Sequence, residues 1–568
     1  MSASPSFVFR ISLVLITPWF AVGQPLSAPT AASALTLEEF MQRVVEYNDS
    51  VQARLLAYQA ARSQRKAENG VFEPSFVTGG DYVDRLRPNT IEQERSLQSG
   101  GFFKERNEIY SSAIEMQTSL GSRLRSGATG RQLVNNIQRT VLFDLDAEYE
   151  TSAGITIEQP LLRGAGPNAM LASLRIAARA SEVAYQEYRR ALMTVVAEAE
   201  LAYWQLYFAQ QEVRLAAESV GLAQTLSRDS TAALDAGRGS RLDVLEAEAG
   251  LAIRRSRESL AQQRRVEAQN RVRAFLGGSS AGGAPPLEAS QEPHLRKIEV
   301  VPEEGSRTAF AMNPDLLRAN ALIGQEMVRA GYAKNQRLPQ LDLKSSYAAT
   351  GLGFDWASSW RDVEKQNNPA WTVGLELRVP IFGNLRGKHE LRAAQLRLLQ
   401  AQRMASDIST QVRTGLDSAH KRVAAAFSAA QSYQAVVEFR TNLLQTRLQG
   451  REVGRLDSRS VLEAEQELFA ARLDQLQSSI EYQKALLELQ LISGSLLQGR
   501  GLEIAFADLE KRTRAWVENP SARLPALQYQ APTFTRWPMA PAAPFEGEPD
   551  PSYPGRVRLT RPLPWSGQ

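Results

Sequence analysis

The sequence predicts a mostly helical α+β fold in which one structural unit occurs twice. Three observations carry this reading. First, the stretch Gly237-Arg-Gly-Ser-Arg-Leu-Asp-Val-Leu-Glu-Ala-Glu248 returns as Gly454-Arg-Leu-Asp-Ser-Arg-Ser-Val-Leu-Glu-Ala-Glu465, with the same Gly-to-Val spacing. Second, Asn48 and Pro74 stand as far apart as Asn313 and Pro339, and each proline introduces residues that alternate with period two. Third, the runs on either side of each duplicated stretch are long, almost free of proline and apolar at helical spacing.

Composition narrows the function classes. The chain has 568 residues, with 66 basic and 62 acidic side chains interspersed along helical stretches, the pattern of solvated helix surfaces rather than of a nucleic-acid patch. It has no Cys, which excludes disulfides, thiolate metal sites, Cys nucleophiles and a lipidated N-terminal Cys. The three His (His294, His389 and His420) are far apart, and neither a Gly-rich phosphate loop nor a nucleophile elbow is present. No catalytic residue, metal ligand or cofactor is therefore assigned.

Residues 1–23 read as an export signal. Arg10 precedes the apolar run Ile11 to Val22, and Ala21-Val-Gly23 fits a small-x-small cleavage site; Ala32-Ser-Ala34 is a second candidate, extending the segment to 34. The first repeat is placed at 35–277. It opens with a helix over Leu35 to Asn69, with Thr36 as N-cap. Pro74 then leads into a strand, because proline cannot continue a helix and biases its predecessor to extended geometry. A second strand ends at Pro160. The stretch between them, 86–148, is expected to be a long outer loop; Tyr110 to Leu120 and Gly130 to Thr140 fit one more hairpin, and whether it extends the sheet is left open by the residues. A long helix follows to a tip near 237–243, where Gly237 suits a left-handed turn and Ser240 an N-cap, and a second helix returns to Leu276.

Residues 278–302 are a Gly, Ser and Pro-rich linker. The second repeat, 303–500, repeats the order: a helix, Pro339, strands near 340–349 and 371–380 ending at Pro380, and a long hairpin whose tip near 454–460 holds Gly454 and Asp457. In the last strand Val373, Leu375, Leu377 and Val379 share one face, while Thr372, Glu376 and Arg378 share the other. One apolar and one charged face suits a barrel wall between lipid and water. Trp356, Trp360 and Trp371 fit either interface aromatics or loop packing. Residues 501–568 form a Pro-rich tail.

The duplicated tip, the matched prolines Pro74, Pro160, Pro339 and Pro380, and the repeated order helix, strand, strand, helical hairpin resemble the TolC family of outer-membrane efflux proteins from Leu35 to Leu497. The resemblance implies a homotrimer whose chains each give four strands to a shared twelve-stranded outer-membrane barrel, continued by a periplasmic helical tunnel. It implies an exit duct for a tripartite efflux or type I secretion system. The partners would be a periplasmic adaptor (membrane fusion protein) docking near Gly237, Ser240, Gly454 and Asp457, an inner-membrane pump of RND, ABC or MFS type, and outer-membrane lipid. The tail is expected in the periplasm. A family gate pattern, Asp-Val-Leu-Asp-Ala, reads here as Ser460-Val-Leu-Glu463-Ala and, in the first repeat, as Asp243-Val-Leu-Glu246-Ala. Asp243, Glu246, Ser460 and Glu463 are thus candidate gate residues, although carboxylates in a helix's first turn also serve its caps and dipole. The alternative function is a periplasmic adaptor or structural coiled coil, for which one hairpin per chain between soluble β domains is expected.

Overall fold

The computed structural model describes residues 33–97, 101–140, 143–144, 146–276, 287–297, 302–453, 455–502 and parts of 509–517. Residues 1–32, which include the expected export signal at 1–23, part of the linker, Gly454 and most of the tail lie outside the described residues. The chain divides into two compact units, 1–515 and 516–568, and every helix and strand named here belongs to the first.

Strand β1 (Ser33–Leu35) leads into α1 (Leu37–Tyr47) and α2 (Asp49–Ala67). Thr36 caps α1 in a reciprocal capping box with Glu39. Next come β2 (Ser75–Pro88), α3 (Ile91–Leu97), β3 (Phe102–Gln117), β4 (Arg123–Asn135), a minimal hairpin β5 (Arg139–Thr140) and β6 (Phe143–Asp144), and β7 (Glu148–Pro160). Helix α4 (Pro167–Met170) precedes the 64-residue α5 (Ala172–Asp235), and α6 (Arg241–Phe275) runs back from its end. After β8 (Leu287–Ala289) come α7 (Pro302–Met312), α8 (Pro314–Gln336), β9 (Gln340–Gly353), α9 (Trp356–Glu364) and β10 (Asn368–Arg378). The 68-residue α10 (Leu385–Glu452), α11 (Ser458–Ser493) and α12 (Leu496–Gly499) complete the order. At about 1.5 Å per residue, α5 and α10 each extend roughly 100 Å. Among the described residues no helix is long and apolar enough to cross a membrane.

The two repeats enter their sheet strands alike. Asn48 accepts from the backbone N–H groups of Ser50 and Val51 to cap α2; Asn313 accepts from those of Asp315 and Leu316 to cap α8. Pro74 immediately precedes β2 and Pro339 immediately precedes β9; Pro160 ends β7, and Pro380 lies two residues past β10.

The sheet corrects two expectations. It has six strands, in the order β10-β9-β7-β4-β3-β2, and every neighbouring pair is antiparallel. The sheet of one chain thus holds six strands rather than the four expected. The two additional strands, β3 and β4, fill most of the stretch expected as an outer loop. Their turn, Thr118 to Ser122, lies at the helix end of the sheet and not at the outer end: Gly166 N–H donates to the Leu120 carbonyl, and the Ser122 hydroxyl meets Gln159 beside Pro160. The physical reason is that Ser, Gly and Ala occupy many positions where an apolar residue would have marked a membrane strand, so period two is faint in β3 and β4.

Register separates the two sides of the sheet. One carries Phe76, Ile114, Met116, Leu124, Ala128, Ile155, Ile157, Leu343, Tyr347, Val373, Leu375 and Leu377, aligned across the six strands. The other carries cross-strand ion pairs: Arg85–Glu105, Arg125–Glu115, Arg123–Glu158, Arg131–Glu150 and Lys344–Glu376. Helix α9 lies against the apolar side. The row Tyr110, Gly130, Thr151, Gly351 crosses four strands beneath it. Trp356 packs edge-on to Tyr110 and Tyr149, and the buried Ser359 hydroxyl donates to the Gly351 carbonyl while bonding the Thr151 hydroxyl. A Cβ at Gly130 would meet the Trp356 ring at 2.7 Å and one at Gly351 the Ser359 carbonyl at 1.9 Å, so the seat requires glycine. Trp356 is therefore a packing residue.

Below the sheet α2, α5, α8 and α10 stand side by side, each in contact with the next. The core of α5 is built around Tyr203, whose ring stacks on Phe40 and whose hydroxyl donates to the Leu35 carbonyl and accepts from Gln291 N–H. That hydroxyl ties β1 to the residues just beyond β8, and β1 and β8 pair in parallel. One turn away Glu200 is fully buried, accepting from Trp204 Nε1 at 3.4 Å and from Arg500 at 2.5 Å. Burial raises its carboxyl pKa, and the attraction of Arg500 offsets this only in part. An acid whose pKa rises on folding favours the folded state at low pH, and this contribution is lost as the pH climbs through the raised value. The melting temperature of the wild-type protein should therefore contain a component that falls between acidic and mildly basic pH, and Glu200→Gln, which cannot ionise, should remove it. Parallel melting curves of the two proteins across that range check this; equal pH dependence would contradict it.

Candidate functional site at the helical tips

The two hairpins meet at their far ends. Ala223 and Leu226 of α5 form a buried cluster with Val461 and Leu462 of α11, flanked by Leu222, Leu251, Leu444 and Leu448, so all four long helices contribute. The Val-Leu of the second duplicated run is thus core. Its counterpart in the first run is not: Leu245 is 54% exposed, and Leu242, Ile253 and Leu260 extend the same open character along α6.

Each turn is fixed by short-range chemistry. Gly237 adopts a φ of +71°, the left-handed geometry that ends α5 without a Cβ penalty. Ser240 caps α6, accepting from Leu242 N–H, while Asp243 accepts from Ser240 N–H to close a capping box. At the second tip Asp457 caps α11, accepting from the Ser460 N–H at 2.9 Å and from its hydroxyl at 2.5 Å. The Ser460 hydroxyl first, and its N–H second, hold the Asp457 carboxyl below the ordinary range. Gly454 lies outside the described residues.

The gate candidates therefore occupy different roles in the turns. Asp243 and Ser460 are engaged in caps. Glu463 is exposed and accepts from Arg459 Nε at 3.0 Å, one helical turn earlier. The Glu463 hydrogen bond and charge raise the Arg459 pKa most, and Glu246 of the other hairpin adds to the effect. Of the two corresponding carboxylates, only Glu463 is in contact with this guanidinium. Further contacts join the hairpins: Arg451 reaches Asp229 at 3.4 Å, and the Ser230 and Ser458 hydroxyls bond at 3.1 Å in a buried position.

Sequence reasoning missed one pair. Arg254 of α6 and Glu465 of α11 are both buried, and Arg254 Nε donates to Glu465 Oε2 at 2.8 Å. Its remaining donors reach the Leu462 carbonyl at 2.9 Å and the Gly250 carbonyl at 3.2 Å. The guanidinium thereby locks the two returning helices together just above the tips. Glu465 ends the duplicated run and was visible, but nothing local marks Arg254 among the many arginines of α6. Among the described residues no group of three His, Asp or Glu converges as a metal site would require.

Comparison with known proteins adds a family assignment to this geometry. The sequence profile of the family described as outer membrane efflux protein matches residues 124–278 and 306–495, more than half of the chain. The outer membrane efflux protein BepC of Brucella suis biovar 1 is 23% identical over 326 residues, covering 56% of this chain and 67% of BepC. The alkaline protease secretion protein AprF of Pseudomonas aeruginosa is 25% identical over 317 residues, covering 54% of this chain and 62% of AprF, so this chain aligns with about two thirds of either relative. Among solved structures, the outer-membrane channel OprN shares the fold with a TM-score of 0.58 at 17% identity, covering 81% of this chain and 89% of that one.

The buried pair gives a measurable consequence. Glu465→Ala should destabilise the tip region by about 3–5 kcal/mol, because it leaves the Arg254 charge buried without its partner. The apolar double replacement Arg254→Met with Glu465→Leu should recover most of that loss. Limited proteolysis at the tips and thermal melting read both; a double variant no better than Glu465→Ala would refute the account.

Proposed function

The chain belongs to the outer membrane efflux protein family, and from that premise we propose that it is an outer-membrane exit duct, passing substrate outward from a periplasmic adaptor and an inner-membrane pump of RND, ABC or MFS type. The observation that carries the proposal is one continuous object: a six-stranded sheet, largely apolar on one side and charged on the other, standing on helices roughly 100 Å long. An apolar wall with a polar lining is the chemistry of a channel between lipid and water. The adaptor alternative has no use for such a sheet.

The assembly is a homotrimer in this reading. Strands β2 and β10 are open edges, and lipid does not tolerate unpaired backbone groups. Apolar residues also remain exposed on the helices, with Leu242, Leu245, Ile253 and Leu260 on α6 and Leu396, Leu399, Val436 and Phe439 on α10. Packing between neighbouring chains around a threefold axis would cover both stripes and both edges. The adaptor docks at the tips around Gly237, Ser240, Gly454 and Asp457. Asp243, Glu246, Ser460 and Glu463 lie at the narrow entrance, and opening is an outward swing of the tip helices that adaptor contact favours. The sheet's extracellular loops lie at its outer end, the tips in the periplasm. The signal ends at Gly23; a cut after Ala34 would take two of the three residues of β1.

Ring geometry gives the charge of the entrance its effect. Three copies of Glu463 around an axis favour cations and resist anions, while three copies of Arg459 oppose them. Single-channel recordings in planar bilayers test the duct and the entrance together. The wild-type protein should conduct, Glu463→Ala should weaken cation preference, and Arg459→Ala should strengthen it. An unchanged reversal potential in both variants would remove these residues from the entrance, and no conductance at all would refute the duct.

A further inference from the structure

We propose that the β3–β4 hairpin belongs to the membrane wall of this protein, so that three chains close an eighteen-stranded barrel, β10 of each chain pairing with β2 of the next. The trimer itself rests on the reading under Proposed function; the wall membership of β3 and β4 rests on the sheet alone.

Three properties of the sheet carry the inference. The first is length. All six strands have between 11 and 16 residues, and a tilted membrane strand needs about 9–11. The hairpin strands β3 and β4, at 16 and 13 residues, are no shorter than their neighbours. The second is continuity of chemistry. The row Phe76, Ile114, Ser126, Ile155, Tyr347 and Trp371 crosses all six strands and is apolar at every position but Ser126, and the one ion pair on this side among the described residues, Arg106–Asp84, lies toward the outer end. On the opposite side the hairpin supplies both partners of Arg125–Glu115 and one partner each of Arg85–Glu105, Arg123–Glu158 and Arg131–Glu150. A hairpin folded away as an outer loop would leave those partners unmatched.

The third is width. Strands 4.7–4.9 Å apart and tilted 35–45° occupy roughly 6–7 Å each of a barrel's circumference, so six occupy about 35–41 Å. The four helices beneath them, α2, α5, α8 and α10, pack at about 8–10 Å and occupy roughly 32–40 Å. Six strands are therefore wide enough to stand on that helical row. Closure is also consistent in direction. The sheet is antiparallel throughout and has an even number of strands, so β2 and β10 run in opposite senses and can pair antiparallel between copies. A wall of this size encloses a water-filled lumen rather than a packed core.

The absence of Cys from the chain makes the test direct. Single-cysteine variants along the hairpin are exposed in isolated outer membranes to a water-soluble maleimide. Ser111→Cys on β3 and Thr129→Cys on β4, on the charged side, should label; Ile114→Cys and Ser126→Cys, on the apolar side, should lose labelling until the membrane is dissolved. Labelling at all four positions would place the hairpin in water and overturn the proposal. Strand counting by electron cryomicroscopy of the purified assembly supplies the second arm: eighteen strands with threefold symmetry support it, and a twelve-stranded wall, whether from two chains or from three, overturns it. Silent bilayers with alternating labelling would sink the duct while leaving the hairpin in the wall.

Discussion

An unpaired backbone N–H or C=O in hydrocarbon costs several kcal/mol, and the rest of this molecule is arranged around avoiding that cost. The six-stranded sheet pairs its four inner strands fully but leaves β2 and β10 each with one open side. No rearrangement within one chain relieves this cheaply, since six strands are fewer than the eight of the small membrane barrels. The helices below inherit the same requirement. Their apolar residues are divided between an interior built on Tyr203, Trp204 and Leu206 and exposed stripes on α6 and α10, so the single chain is well packed at its centre and unfinished at its flanks.

The helical part solves a different problem, which is holding columns of roughly 100 Å in register with few large side chains. Small buried residues such as Ala197, Ala199, Ala202 and Ala223 bring the helices close, and polar anchors at intervals fix their axial position. Tyr203 ties α5 to β1 midway along the helix; Ser230–Ser458 and Arg254–Glu465 tie the hairpins near the tips. A buried ion pair is weak evidence of net stability, because desolvation consumes most of the attraction. Its geometric demand is strict, however: with donors also committed to Leu462 and Gly250, Arg254 accepts only one relative position of α6 and α11. Specific register, rather than stability, is what such a pair contributes.

What was legible in the sequence was local. The caps at Thr36, Ser240 and Asp457 and the turn at Gly237 are each decided by residues within a few positions of one another. The caps at Asn48 and Asn313 were not foreseen: each splits into two what reads in the sequence as one helix, over Leu35 to Asn69 and over Arg307 to Gln336. The strand-junction prolines are equally local, since their effect falls on a single neighbour. The strand count was not legible. Its signal is spread over alternate positions, and β4 offers Ser126, Ala128 and Gly130 where a strongly apolar face would have declared itself. Those small residues have a purpose visible only in three dimensions: Gly130 makes room for Trp356, which comes from more than two hundred residues away. The same holds for Arg254, whose partner stands 211 positions along the chain.

The duplicated tip shows how far one sequence can be put to two uses. Val-Leu-Glu-Ala-Glu stands after a cap in both repeats, and the two caps are closed differently: Asp243 completes a box with Ser240, whereas Ser460 donates its hydroxyl to Asp457. From there the copies diverge. Val461, Leu462 and Glu465 are buried against the other hairpin, while Leu245 and Glu248 of the first copy face outward. Two identical runs inside one chain cannot have identical neighbours unless the chain has its own internal twofold, and this one does not: it has an inner seam, already filled, and an outer seam, still open. If a neighbouring copy fills the outer seam, the first Val-Leu gains the environment that the second already has. A ring of three chains would then hold six equivalent tips. That near-equivalence is a physical reason for a run of five residues to persist twice, because each copy must fit a seam of the same shape.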